Sequence, residues 1–247
     1  MIIELVGLPG SGKTTLERRL RKELKERGYQ ILDQTTWEEQ FVKEKFASPA
    51  FKILFYITLW LKFITQLFAA REGLAALAHG RRVTKYWALK DLALSTYFLD
   101  HLKAKNDKQK LIYFPEEGLV QHLASLQAWG GTTTQLLKET TDLNLFKQLT
   151  LLHIQIPPAE GFKRLWSRGV PTSWPKTCTS KEQAHAVYAN FDQALNQTLK
   201  AFKQANTHII DFDNQGRQTE IDQGIPQLIE ELLAYFSFEK ELSIKKT

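Results

Sequence analysis

Apolar and polar positions along the chain fall into short blocks of two kinds. Ile2 to Val6 is a run rich in β-branched and other apolar residues, bounded by Gly7, which is the pattern of a strand buried in a parallel sheet. A basic segment from about Thr14 to Arg27 then reads as a helix that stops at Gly28, a C-terminal cap. Similar short runs recur at YQILD, ending at Asp33, at Leu111 to Phe114, at Leu149 to Ile156 before Pro157-Pro158, and at THIIDF. These predict four further strands. Between and after them the pattern is helical: over a long stretch from Thr36 to about Lys105, after Gly118 with a break at Gly130-Gly131, around Arg164 and Arg168, from about Lys181 to Lys203, and near Ile225 to Phe236. The segment GVPTSWPKTCTS, with two prolines and several small polar residues, reads as a loop.

Strands separated by helical stretches imply right-handed crossovers, hence a mainly parallel sheet with helices on both faces. The fold expected is a three-layer α/β domain over 1–247, with a five-stranded parallel sheet. A helical insertion lobe over 36–110 separates strands two and three, and no internal repeat or low-complexity linker interrupts the chain. At 247 residues and 43% hydrophobic composition, one such core is what the chain can bury. Ligands in these sheets bind beyond the carboxyl ends of the strands. Gly7, Asp33 and Glu116 all belong at those ends.

Charge and cysteine content narrow the setting. The formal net charge is +6, but the basic residues are locally balanced, as in LERRLRKELKERG, so that helix reads as a solvated face and no specific nucleic-acid partner is assigned. The single cysteine, Cys178, excludes an internal disulfide and a multi-cysteine metal centre. No secretory signal pattern opens the sequence, and a cytoplasmic location is expected. The histidines lack ligand spacing, and His153, inside an apolar strand, is expected in the core.

The most specific chemistry lies in the first turn. Gly7-Leu8-Pro9-Gly10-Ser11-Gly12-Lys13-Thr14 fits G-x-x-x-x-G-K-[ST] between a strand and a helix. Backbone N–H groups that converge on phosphate oxygens require side chains to be absent where the loop wraps most tightly, and Gly7, Gly10 and Gly12 supply that freedom around Pro9 and Ser11. The helix start adds unpaired N–H groups and the positive dipole end. Lys13 brings a mobile cation for the β and γ phosphates, Thr14 a hydroxyl for Mg²⁺, and Thr15 a hydrogen bond for the α phosphate. A nucleotide with magnesium is therefore the expected ligand of the turn. The motif fixes a nucleotide but not a reaction. A switch GTPase needs N-K-x-D after a later strand and D-x-x-G after an earlier one, and neither is present in those places. A motor ATPase usually carries a strand ending in aspartate; the nearest segment here is IYFPEEG.

GLPGSGKTT, FPEEG, HIQIPPAEGFKRLWSRGVP and THIIDFDN, taken in order, resemble the P-loop small-molecule kinases, in particular the thymidylate kinase-like and nucleoside kinase-like branch. The resemblance covers residues 1–35 and about 110–237. It implies a nucleotide-kinase-like fold and an ATP- and Mg-dependent phosphotransferase acting on a small hydroxyl or phosphate compound. It also implies that Glu116 or Glu117, ending the third strand, faces the attacking hydroxyl or the metal, although the arginine that commonly follows is absent here. Arg164 and Arg168, spaced i, i+4 on one helix face, match the lid arginines that close over the phosphates, giving a lid-like segment at 164–180.

The acceptor side is expected in the insertion. There AFKILFYITLWLKFITQLFAA carries Lys52, Lys62 and Gln66, which oppose a membrane span. A buried helix or a homodimer contact is the preferred reading, ahead of peripheral contact with a membrane surface. Arg81 and Arg82 are candidate clamps for an acceptor phosphate or carboxylate, and Asp33 for an acceptor hydroxyl. The competing class is a nucleotide-gated interaction protein, in which ATP orders the insertion for a partner and turnover is slow or absent.

Overall fold

The computed structural model describes residues 1–33, 110–115, 118–128, 149–170, 174, 179–215 and 218–244. The expected insertion at 36–110 lies outside these residues save for its last position. So do the Gly130-Gly131 break, Glu116, Glu117, Arg81, Arg82, most of the loop after Gly169, and the side chain of Asp33.

The described elements are β1 (Ile2–Gly7), α1 (Lys13–Glu26), β2 (Gln30–Asp33), β3 (Leu111–Phe114), α2 (Leu119–Ala128), β4 (Leu149–Gln155), α3 (Pro158–Arg168), α4 (Lys181–Gln204), β5 (His208–Asp213) and α5 (Gln218–Ile244). The five strands form one parallel sheet in the order β2-β3-β1-β4-β5. β1 is central, so its own backbone is paired on both sides and every residue of it is buried. Successive side chains alternate between faces. Ile3 and Leu5 pack with α1 (Leu16, Leu20, Leu24) and α5 (Leu228, Ile229, Leu232). Ile2 and Val6 pack with α2, α3 and α4, through Leu123, Phe162, Tyr188 and Leu199 among others. Three layers result. The chain leaves β1 toward β2 by way of α1 on one face and reaches β4 from β3 after α2 on the other, which makes the carboxyl end of β1 the topological switch point where such sheets open a crevice.

Local signals explain most boundaries. α4 begins at a capping box: Ser180 Oγ accepts from Gln183 N at 3.2 Å, and Gln183 Oε1 accepts from Ser180 N at 3.1 Å. α3 begins with Pro158, whose fixed φ suits the first helical position. α5 starts earlier and ends later than its sequence pattern suggests. It runs through Gly224 and Pro226, which by sequence look like a helix start; Gly224 instead lies against the Phe212 ring of β5, 3.5 Å from the position a Cβ would take. His153 also differs from expectation. It is partly exposed, and its Nδ1 lies 2.8 Å from Asp211 Oδ1 on the edge strand β5, its register partner. Among the described residues no helix is long and apolar enough to cross a membrane.

Candidate functional site

The turn from β1 to α1 is held almost entirely through its carbonyls. Lys13 Nζ donates to Gly7 O at 2.7 Å and to Leu8 O at 3.2 Å. Tyr188 Oη, from α4, donates to Pro9 O at 3.1 Å. Asn214 Nδ2, just beyond β5, donates to Ser11 O, and the Asn214 backbone N–H is fixed in turn by Gln155 O at 3.0 Å. Two of the turn's amides are also used internally: Gly7 N donates to Gln121 Oε1 at 3.2 Å and Ser11 N to Leu8 O at 3.0 Å. The N–H groups of Gly10, Gly12 and Thr14 have no acceptor among the described residues. α1 opens on Gly12 in the left-handed region, with no side-chain cap and no acidic residue in its first turn. Carbonyls tied to side chains, with amides left without an acceptor among the described residues, give the turn an excess of unpaired N–H groups, to which the helix start and Lys13 add positive charge.

Two glycines are required by contact as well as by conformation. Gly10 has φ +89°, and a Cβ there would fall 2.4 Å from Gly161 O on α3. Gly12 has φ +93°, and its Cβ would fall 2.4 Å from Asn214 Nδ2. The loop is thus wedged between α3 and the segment after β5.

The aromatic support under the loop is dense. Tyr188 packs edge-on to Phe162, with ring centroids 5.5 Å apart, and its hydroxyl fills the space beside Gly161. Burial, with a smaller contribution from the Asp192 charge, pushes the Tyr188 phenol well above its usual range, so it stays a neutral donor.

Of the residues singled out by sequence, Gly7, Pro9, Gly10, Ser11, Gly12, Lys13, Thr14 and Thr15 are brought together at this turn. Thr14 and Thr15 are exposed at the start of α1. Ser11 is wholly buried, and its Oγ has no partner among the described residues, so its hydroxyl faces the protein. On α3, Gly161, Arg164, Leu165 and Arg168 form one stripe, at about 100° per residue. Gly161 and Leu165 abut Gly10, which puts both arginines on the side of the helix that borders the loop. Arg164 Nε is engaged by Glu160 Oε1 at 2.9 Å, and Arg168 Nε donates to Arg164 O at 3.2 Å. Asp33 ends β2 level with Phe114, its register partner at the end of β3, so β2 and β3 end at the same edge of the sheet. Arg21, which pairs with Glu17 at 2.7 Å, reaches Phe114 O at 3.4 Å and lies over the Phe114 ring, fixing the end of β3 to α1.

Sequence reasoning missed Tyr188, Asn214, Gln121 and Glu4. A signal existed for two of them. Glu4 is a charge within an otherwise apolar central strand, and Gln121 a polar residue among apolar helix positions; both are buried, at 2% and 6% exposure.

Fold and turn together define a phosphate-loop α/β architecture with the loop at the switch point of a five-stranded parallel sheet. Among solved structures, the chain is similar to a deoxyadenosine kinase from M. mycoides with the products dCMP and a flexible dCDP bound. The identity is 16%, the TM-score 0.47, and the match covers 95% of this chain and 100% of that one. It is similar as well to the same enzyme with bound dATP (15% identity, TM-score 0.42, 94% of this chain and 99% of that one) and with bound dCTP (14% identity, TM-score 0.42, 95% and 100%). No family model matches the chain, and no curated protein matches it.

Proposed function

We propose that the chain is an ATP- and Mg-dependent phosphotransferase that acts on a small-molecule hydroxyl or phosphate acceptor, such as a nucleoside, nucleotide, sugar or glycan precursor. The observation that carries this reading is the polarity of the turn: carbonyls tied by Lys13, Tyr188 and Asn214, and amides at Gly10, Gly12 and Thr14 that have no acceptor among the described residues, beside an uncapped helix start. Such a surface suits a chain of phosphates. The Thr14 hydroxyl is exposed and free of hydrogen bonds to the described residues, which suits a ligand for magnesium; when bound, the ion offsets charge on the phosphate oxygens.

In the reaction, the acceptor oxygen forms a bond to the γ phosphorus while the bond from that phosphorus to the β–γ bridging oxygen breaks, and ADP leaves. Glu116 or Glu117 takes the acceptor's proton or holds the metal through water. Lys13 and the loop amides hold the β and γ phosphates. Arg168, and Arg164 once drawn from Glu160, stabilise the equatorial oxygens of the transferring group. Asp33, Arg81 and Arg82 are assigned to the acceptor, on the side of the insertion. A cytoplasmic setting, where ATP is supplied, goes with this reading.

Transfer kinetics test the roles. Glu116→Gln and Arg168→Ala should each lower turnover by about a hundredfold while changing ATP affinity by less than about threefold. Full transfer in both variants overturns the assignment.

A further inference from the structure

Glu4 sits in the middle of the central strand, between Ile3 and Leu5, at 2% exposure. A carboxylate there loses its water, a cost of several kcal/mol unless other groups replace the solvent. The start of α2 is what replaces it. Glu4 Oε1 accepts from Gln121 N at 3.0 Å, at the end of the helix where orphan amides and the positive dipole lie. The fit is close: a Cβ on Gly118 would fall 1.9 Å from Glu4 Cδ, so a side chain there would push the Glu4 carboxylate from its seat at the start of α2.

Capping α2 explains Glu4 but not the side chain it holds. Gln121 turns its Oε1 to the N–H of Gly7, at 3.2 Å, in a buried bond between residues 114 positions apart. The carbonyl of the same Gly7 is the nearer acceptor of Lys13 Nζ, at 2.7 Å. Gly7 is therefore gripped at both polar ends, by Gln121 on one side and by the loop lysine on the other. Rotation of this residue's backbone would carry the Lys13 ammonium with it.

We propose that Gln121, held by Glu4, is a positioning residue of the phosphate site: it fixes the Gly7 backbone and thereby the seat of Lys13. The proposal rests on the reading of the turn as a nucleotide-phosphate site.

The test is MgADP binding by calorimetry, with thermal melting in parallel. Gln121→Met keeps the side chain's length and removes the acceptor; it should weaken MgADP by about tenfold, the effect of one buried hydrogen bond. Leu123→Ala, at a buried α2 position facing the core, should lower the melting temperature and leave affinity unchanged. Hydrogen exchange on the unaltered protein gives a readout independent of any variant's folding: the Gly7 amide should exchange slowly without nucleotide, whereas Gly10 and Gly12 should become protected only when MgADP is added. Parental affinity in Gln121→Met, an equal loss in Leu123→Ala, or a fast Gly7 amide overturns the proposal alone. Failure of the unaltered protein to bind MgADP overturns it together with the reading of the turn.

Discussion

Replacing Gly10 by alanine separates two effects that the loop combines. At φ +89° an L-residue is strained by about 1–2 kcal/mol. The new Cβ would also lie 2.4 Å from Gly161 O and 3.3 Å from Leu165 N. Both are backbone atoms of α3, so relief requires the helix to move rather than a side chain to rotate, and overpacking of this kind costs about 1–3 kcal/mol. Together they predict a loss of about 2–5 kcal/mol, a large share of the stability of an ordinary domain. Gly28 supplies the control. Its φ is +80°, but nothing lies within 4 Å of its would-be Cβ, so Gly28→Ala should cost only the conformational part. Urea denaturation of both variants isolates the clash as their difference. MgADP titration adds a second axis, because Gly10→Ala distorts the loop and should weaken binding while Gly28→Ala, at the far end of α1, should not. Stabilities within about 0.5 kcal/mol of each other, with equal affinities, would refute the contact between loop and α3.

Tyr188→Phe removes one hydrogen bond to Pro9 O and keeps the packing on Phe162, so thermal or urea denaturation should show a loss of about 1 kcal/mol. Because the folded phenol is raised above the unfolded value of about 10, its contribution is whole below that pH and declines as pH rises toward the folded value. The parent's stability relative to Tyr188→Phe should therefore be flat from neutrality to about pH 10 and fall beyond it; a decline near pH 8 would contradict the assignment. Asn214→Ala frees Ser11 O beside Gly12, and should weaken MgADP by about tenfold in the same calorimetric titration.

The sheet was legible because strands buried in a parallel sheet are short apolar runs stopped by glycine, proline or charge. Leu111 to Phe114, before Pro115, matches the observed β3. The loop was legible because its function is carried by local backbone geometry, which glycine spacing records. Its supports are a different matter. Tyr188 meets Pro9 across 179 residues and Asn214 meets Ser11 across 203. A buried tyrosine on a helix has the same local pattern whether its hydroxyl is engaged or not. Glu4 and Gln121 did break the local pattern, but the reason lies in their pairing across the sheet and helix layers. α5 begins a turn and a half or more before the expected start near Ile225, because Gly224 and Pro226 resemble a helix start locally while packing of Gly224 against Phe212 of β5 carries the helix through them. The expectations for Arg81, Arg82, Glu116 and Glu117 lie outside the described residues and stand on sequence.

Transfer of label from γ-labelled ATP is the decisive experiment, using nucleosides, nucleotides, sugars and a cell metabolite extract as acceptors, with mass detection of new phosphorylated species. The account predicts a labelled small-molecule product that disappears in Lys13→Ala and whose mass names the acceptor class. Tight ATP binding with nothing beyond free phosphate across panel and extract would contradict the phosphotransferase and leave a nucleotide-gated interaction protein in its place.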